Sequence, residues 1–286
     1  MVRRVAFAAV AIPAVAALAW VGGWPFAALL GVAGVLGSRE VFGFARAQGI
    51  EPLTPLGYAG AALIPLAVAW PLLAPSRAAF LVREGTLPAA WVLAVFVAVL
   101  ARRGPSGRPL AAIAVTVLGP LYASWLLSFA LVLRHPVPGV PVNDTAAGMT
   151  LLFFPLAGTW LGDTAAMFAG KAIGGPKLAP VVSPGKTWAG AVAGFVTTLA
   201  ASVIYAAVVF PRVGLGVGVH EVLLLGAAVS AAGQVGDAAE SVLKREAGVK
   251  DSSALIPGHG GVLDRLDALY FVLPVTALAY QLLGIA

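Results

Sequence analysis

The run Ser241–Asp267 gathers the residue types that phosphate chemistry needs. Lys244, Arg245, Lys250 and Arg265 supply four cations that can neutralise phosphates, and Asp251, Asp264 and Asp267 supply hard oxygen ligands suited to Mg²⁺. Gly258, Gly260 and Gly261 allow backbone N–H groups to approach an anion closely. A helix starting near Asp264 would turn its N-terminus toward the same place, with Asp264 and Asp267, at i and i+3, on one face. Taken singly, each feature has a plainer reading. Lys and Arg at helix ends often only snorkel, Asp264 fits a simple N-cap, and a lone His259 fits a surface histidine. The joint pattern is what points to phosphate handling.

Two more acids lie inside apolar stretches, Asp163 in Trp-Leu-Gly-Asp-Thr-Ala and Asp237 in Gly-Gln-Val-Gly-Asp-Ala-Ala-Glu. An acid at a bilayer centre costs about 2.5–3.5 kcal/mol on insertion scales. That cost argues for a polar cavity holding a cation, against the alternative of a bundle hydrogen bond or a lysine partner. With Lys244 at the cytoplasmic surface, Asp237 sits seven residues, or about 10 Å, below it. Asp163 comes out equally deep relative to Gly170, so both acids could face one cavity. Asp237, Glu240 and Lys244, at i, i+3 and i+7, share a helical face.

A third segment, Lys171–Trp188, places Ser183, Lys186 and Thr187 just before an apolar helix. Its Ser-Pro-Gly-Lys-Thr lacks the first glycine and the preceding strand of a P-loop, which excludes that motif. Hydroxyls, a lysine and a helix N-terminus still make a phosphate cradle.

These segments must be held by membrane helices. The chain is 60% hydrophobic and only 10% charged, against about 25% charged in soluble domains. Spans of about 20 apolar residues are needed to cross a bilayer. Nine are predicted, giving an all-α polytopic fold: Val5–Gly22, Pro25–Ala45, Pro55–Leu73, Leu87–Ala101, Leu110–Leu133, Met149–Gly170, Thr187–Phe210, Val222–Leu243 and Leu266–Ile285. The first is read as a membrane helix rather than a cleaved signal, because further apolar spans follow it. With the N-terminus in the cytoplasm, only Arg77, Arg83, Arg134 and Arg212 of the 18 Lys and Arg fall outside, so the active site is expected on the cytoplasmic face of the cell membrane. The same distribution explains the net charge of +6 without a nucleic-acid partner. Three regions are expected: a transmembrane scaffold over 1–105, a middle region over 106–148 and a catalytic region over 149–286. The absence of cysteine excludes disulfides, thiolate catalysis and thiolate metal sites.

The pattern Ser-x-Leu-Lys-Arg-x4-Lys-Asp-x-Ser-x2-Ile-Pro-x-His-Gly-Gly-Val-x-Asp-Arg-Leu-Asp resembles the signature of the phosphatidate cytidylyltransferases, or CDP-diacylglycerol synthases, throughout Ser241–Asp267. The segment from Lys177 to Trp188 resembles that family's cytoplasmic loop, and Asp163 and Asp237 fall where the family has intramembrane acids. The likeness covers roughly residues 150–270; the N-terminal half is similar only in hydropathy. It implies conversion of CTP and phosphatidate to CDP-diacylglycerol and pyrophosphate, a Mg²⁺ requirement with K⁺ as a second cation, nine membrane helices and a homodimer. It also implies that Asp237 and Asp264 ligate the metal pair.

On that reading Asp237, Lys244, Lys250 and Asp264 are the expected catalytic residues. Asp163, Ser183, Lys186, Thr187, Arg245, Asp251, His259, Gly260, Gly261, Arg265 and Asp267 are expected to bind substrate. A CTP-dependent transferase or kinase acting on another lipid is the alternative within enzymes. An ion-coupled transporter is the alternative outside them, although no second copy of the Ser241–Asp267 pattern accompanies the first. For Asp264 to share a metal with the deeper Asp237, either the eighth helix must end early or the Pro-Gly-His-Gly-Gly stretch must dip into the protein.

Overall fold

The computed structural model describes residues 2–74, 85–135, 145–256, 258 and 260–285, without the side chains of residues 2–8. Arg77, Arg83, Pro257 and His259 lie outside the described residues. The architecture is helical: α1 Val2–Val21, α2 Gly23–Ala47, α3 Thr54–Leu73, α4 Thr86–Arg102, α5 Pro109–Pro120, α6 Leu126–Arg134, α7 Thr145–Ile173, α8 Trp188–Val208, α9 Val219–Glu246, the short α10 Leu263–Leu266, and α11 Leu269–Leu282. A π-helical turn, Leu121–Trp125, joins α5 to α6 directly after Pro120, whose missing N–H and ring disturb the regular ladder.

Six helical spans among the described residues are long and apolar enough to cross a membrane: Gly23–Ala47, Thr54–Leu73, Pro105–Arg134, Thr145–Ile173, Trp188–Val208 and Val219–Glu246. This is a membrane protein, and six of the nine expected spans meet that length and hydropathy among the described residues. The expected fourth and ninth spans correspond to the shorter helices Thr86–Arg102 and Leu269–Leu282, and the expected first span to the 20-residue helix Val2–Val21. The expectation of a wholly α-helical chain also needs one addition. Residues between α7 and α8 form an antiparallel hairpin, β1 Lys177–Ala179 and β2 Ser183–Thr187.

The chain divides into two units. The first comprises Met1–Val132 and Glu246–Arg265; the second comprises Leu133–Arg245 and Leu266–Ala286. In the first unit, α2 packs on α3, α5 and the π turn. Phe42 is fully buried between Gly57 and Gly119, where any larger residue would collide with its ring. Two hydroxyls serve backbone groups across this bundle: Ser124 donates to the Ala61 carbonyl (2.6 Å), and Thr116 accepts from the Leu53 N–H (2.8 Å). Such bonds matter in a bilayer, where lipid offers no alternative partner.

In the second unit, α7 and α8 lie against each other along small residues. A methyl at Gly194 or Gly190 would strike the carbonyl of Gly162 or Ala166 respectively. The Thr198 hydroxyl donates to the Gly158 carbonyl at 3.2 Å. This small-residue seam lets the two backbones approach closely. The other end of the unit is fixed by Phe154, Tyr205, Phe210 and Tyr280, whose rings meet at centroid distances between 5.4 and 6.2 Å. Tyr205 and Tyr280 donate to the carbonyls of Thr150 and Leu151.

Candidate active site

In the second unit the α7–α8 seam places Asp163 beside Gly162, while the hairpin carries Lys186 to the start of α8. Thr187 is buried at the N-cap of α8, where its side-chain oxygen accepts the Gly190 N–H at 3.1 Å. That cap satisfies one of the orphan donors of the first turn and fixes the residue next to Lys186. Arg245 ties the same hairpin down from α9, donating to the Val182 carbonyl at 3.3 Å.

Lys186 Nζ lies 2.6 Å from Asp237 Oδ2, and Ser241 Oγ lies 3.4 Å from Asp237 Oδ1. Asp163 and Asp267 are both close enough to feel the charge of Asp237, and Asp163 also feels Lys186. The third acid arrives through a close approach. Gly236 packs on the Asp267 carbonyl and Ala268, so that Asp267 is brought beside Asp237. Within the unit, Asp163 and Asp267 thus lie within electrostatic reach of the Lys186–Asp237 pair.

Lys244 differs from its expected place at the surface. It is only 8% exposed and its Nζ is 3.0 Å from Glu240 Oε1, which is itself fully buried. The physical reason is the i, i+4 spacing on α9, which puts a lysine stem over a buried carboxylate and keeps both charges compensated.

In the first unit the glycine-rich end of the signature does approach an anion, but the anion is the protein's own. Val262 and Leu263 donate their N–H groups to Glu40 Oε1 (3.0 Å) and Oε2 (2.8 Å). Ser253 and Ser252 donate their hydroxyls to the same two oxygens, at 2.7 and 2.9 Å. Asp264 Oδ2 accepts from the N–H groups of Ser252 (2.7 Å) and Gly261 (2.9 Å), and Ser252 Oγ lies 2.7 Å from it. Gly260 has a φ of +79°, a left-handed conformation that favours glycine, and forms an isolated bridge with Ile256. The eighth expected span does not end early, and the start of the following helix is buried within the first unit. α9 runs on to Glu246, and Gly261, Val262 and Leu263 are buried.

Lys250, Asp251 and Arg265 are exposed in this unit, and Ser183 is half-buried in the other. Asp237 belongs to the second unit and Asp264 to the first. Glu40 was not among the residues singled out from sequence. It meets the criterion that found Asp163 and Asp237, an acid inside an apolar span, and the neighbouring Arg39 makes it read as a helix-end charge.

The carboxylates of the second unit have the oxygen chemistry and surplus negative charge that suit a hard divalent cation. Among the described residues no three acids or histidines are drawn together as closely as metal ligands, and Asp237 Oδ2 is engaged by Lys186. A cation on Asp237 would therefore replace the lysine contact at that oxygen.

Comparison with known proteins bears on this arrangement. A Brucella suis protein named phosphatidate cytidylyltransferase is 48% identical over 127 residues, 44% of this chain and 45% of its own length. A Haemophilus influenzae protein of the same name is 43% identical over 141 residues, 48% of each chain. An Escherichia coli protein named uncharacterized protein YnbB is 38% identical over 161 residues, 56% of this chain and 49% of its own. The chain thus spans about half the length of the curated relatives it matches. The profile of the Cytidylyltransferase family, in contrast, matches residues 2–283, and the chain belongs to that family.

Proposed function

We propose that this protein is a phosphatidate cytidylyltransferase of the cell membrane, converting CTP and phosphatidate to CDP-diacylglycerol and pyrophosphate. The observation that supports it best is Lys186 held 2.6 Å from the intramembrane acid Asp237, in a chain carrying the Ser241–Asp267 signature. Two of the relatives above bear that enzyme's name. The active site faces the cytoplasm, where CTP is available, and the working form is a homodimer.

The reaction joins a phosphatidate oxygen to the α-phosphorus of CTP and breaks the bond to the β-phosphate oxygen. Phosphatidate is already an anion at neutral pH, so no strong base is needed; the difficulty is the accumulation of negative charge. Lys186, poised 2.6 Å from Asp237, and the exposed Lys250 and Arg265 supply cations for substrate or pyrophosphate oxygens. Ser183, Arg245, Asp251, His259 and Gly260 bind substrate on this reading. Thr187 and Gly261 act through the backbone they fix, the first as the cap of α8 and the second as a donor to Asp264. Asp237 and Asp264 are the proposed metal ligands, with K⁺ as the second cation beside Mg²⁺. When bound, Mg²⁺ would neutralise charge on the reacting phosphates.

The test is direct. Purified protein in detergent, given CTP and phosphatidate, should release pyrophosphate in step with CDP-diacylglycerol. Supplying other lipid acceptors, such as a polyprenol, in place of phosphatidate separates this activity from that of a related CTP-dependent enzyme. Turnover with such an acceptor and none with phosphatidate would overturn the assignment.

A further inference from the structure

We infer that Glu40 is a positioning residue: its carboxylate anchors both ends of the segment from Ser252 to Leu263 and thereby sets the place of Asp264. The inference deepens the proposed function and rests on it for the role of Asp264.

Glu40 is 5% exposed, in an apolar helix where an unpaired carboxylate would be costly. Each of its oxygens takes one hydroxyl and one backbone N–H, from Ser253 and Val262 on Oε1 and from Ser252 and Leu263 on Oε2. The hydroxyls come from one end of the loop and the backbone donors from the other. A single rigid group thus closes the loop on itself. The N–H groups of Val262 and Leu263 are also among those that the start of a helix leaves without an intrahelical partner.

The connection to Asp264 runs through Ser252. Its Oγ lies 2.9 Å from Glu40 Oε2 and 2.7 Å from Asp264 Oδ2, while its N–H donates to the same Asp264 oxygen. One hydroxyl carries one proton, so it can donate to only one carboxylate at a time, but it holds both acids at a fixed separation. Gly261 completes the fit. A β-carbon there would overlap the side chains of Ser252 and Glu40.

The four donors need a carboxylate and not merely a polar group of its size. Glutamine keeps the shape but has one acceptor oxygen, and its NH₂ would face a backbone N–H that cannot rotate away. Glu40→Gln should therefore behave as a loss and not as a rescue. Ser253→Ala removes one donor of the four and should shift the same measurements less.

The experiment uses the full chain in detergent, comparing wild type, Glu40→Gln and Ser253→Ala by amide hydrogen exchange, thermal unfolding and steady-state kinetics. In Glu40→Gln the amides of Val262 and Leu263 should exchange about tenfold or more faster, as expected for lost hydrogen bonds to a charged acceptor, with the α7–α8 amides unchanged. The kcat should fall about tenfold or more with the KM for CTP within about twofold, the signature of a misplaced group and not of a lost substrate contact. Unchanged exchange at Val262 and Leu263 would overturn the anchor. Faster exchange with wild-type kcat would reduce Glu40 to a purely structural residue. If Glu40→Gln unfolds globally, Ser253→Ala decides by the same two readouts. If the wild type makes no CDP-diacylglycerol, the functional reading fails and with it the role given to Asp264, while the exchange measurement still decides the anchor.

Discussion

Lys186 Nζ and Asp237 Oδ2 are 2.6 Å apart, which makes a lysine of the hairpin the counter-ion of an acid inside the helical span α9. Two residues 51 positions apart in the chain (237 − 186) are thereby committed to each other. In the proposed reaction both must change partners, Asp237 toward a cation and Lys186 toward a phosphate oxygen.

That exchange predicts strong coupling. Asp237→Asn should abolish formation of CDP-diacylglycerol while leaving the detergent-solubilised protein folded. Lys186→Met should lower kcat about 10²-fold, the size of a lost charge stabiliser. The double variant should be little worse than Asp237→Asn alone, because groups that act as a unit are not additive. Full additivity in the kinetic cycle would show that the two act separately.

Asp264 should respond differently to Asn and Ala. Asparagine keeps one oxygen to accept the N–H groups of Ser252 and Gly261, so Asp264→Asn should lose activity with little change in thermal stability. Asp264→Ala should lose activity and also about 1 kcal/mol of stability, as for a lost cap. Equal melting temperatures for the two variants would contradict the bonding described for Oδ2.

Gly236→Ala tests how Asp267 is placed. A β-carbon at 236 would come within 2.8 Å of the Asp267 carbonyl, with Ala268 and Phe271 close behind. Overpacking of this kind costs about 1–3 kcal/mol. The variant should melt earlier and turn over more slowly, with the larger effect on kcat. An unaltered enzyme would mean that α9 and the Asp267–Ala268 turn can separate freely.

Metal dependence is the fourth expectation. Chelation with EDTA should stop turnover, Mg²⁺ should restore it, and K⁺ should raise the restored rate above that with a large organic cation. Stabilisation by Mg²⁺ in a thermal melt should vanish in Asp237→Asn. Full activity after exhaustive chelation would remove the metal from the mechanism.

Much of the helical frame was legible because apolar spans of bilayer length leave a one-dimensional signal. The intramembrane acids Asp163 and Asp237 were visible for the same reason, as expensive departures from it. The partners of each charge were not visible. Lys244 looked like a surface residue because it ends a span, yet Glu240 four residues earlier draws it inward. The glycines of the signature looked ready for a phosphate, yet in the structure the neighbouring Val262 and Leu263 amides meet Glu40, 222 and 223 positions earlier in the sequence. Periodicity locates a helix; it does not say which distant carboxylate will face which amide. The hairpin was missed because Lys177–Thr187 is rich in Pro and Gly and carries only five residues in its longer strand.

The Glu40 contacts also impose an order on biosynthesis. The first unit is built from the start of the chain and from residues 246–265, near its end. During synthesis α2 enters the membrane long before the ribosome has made any of the four donors to its carboxylate. For most of translation this acid must be tolerated by water, lipid headgroups or the insertion machinery. Its native partners arrive only when Ser252, Ser253, Val262 and Leu263 emerge. Completion of the amino-terminal half of the protein is therefore a late, post-insertion event. A nascent chain stalled before residue 252 carries this acid without the four donors that meet it in the finished fold.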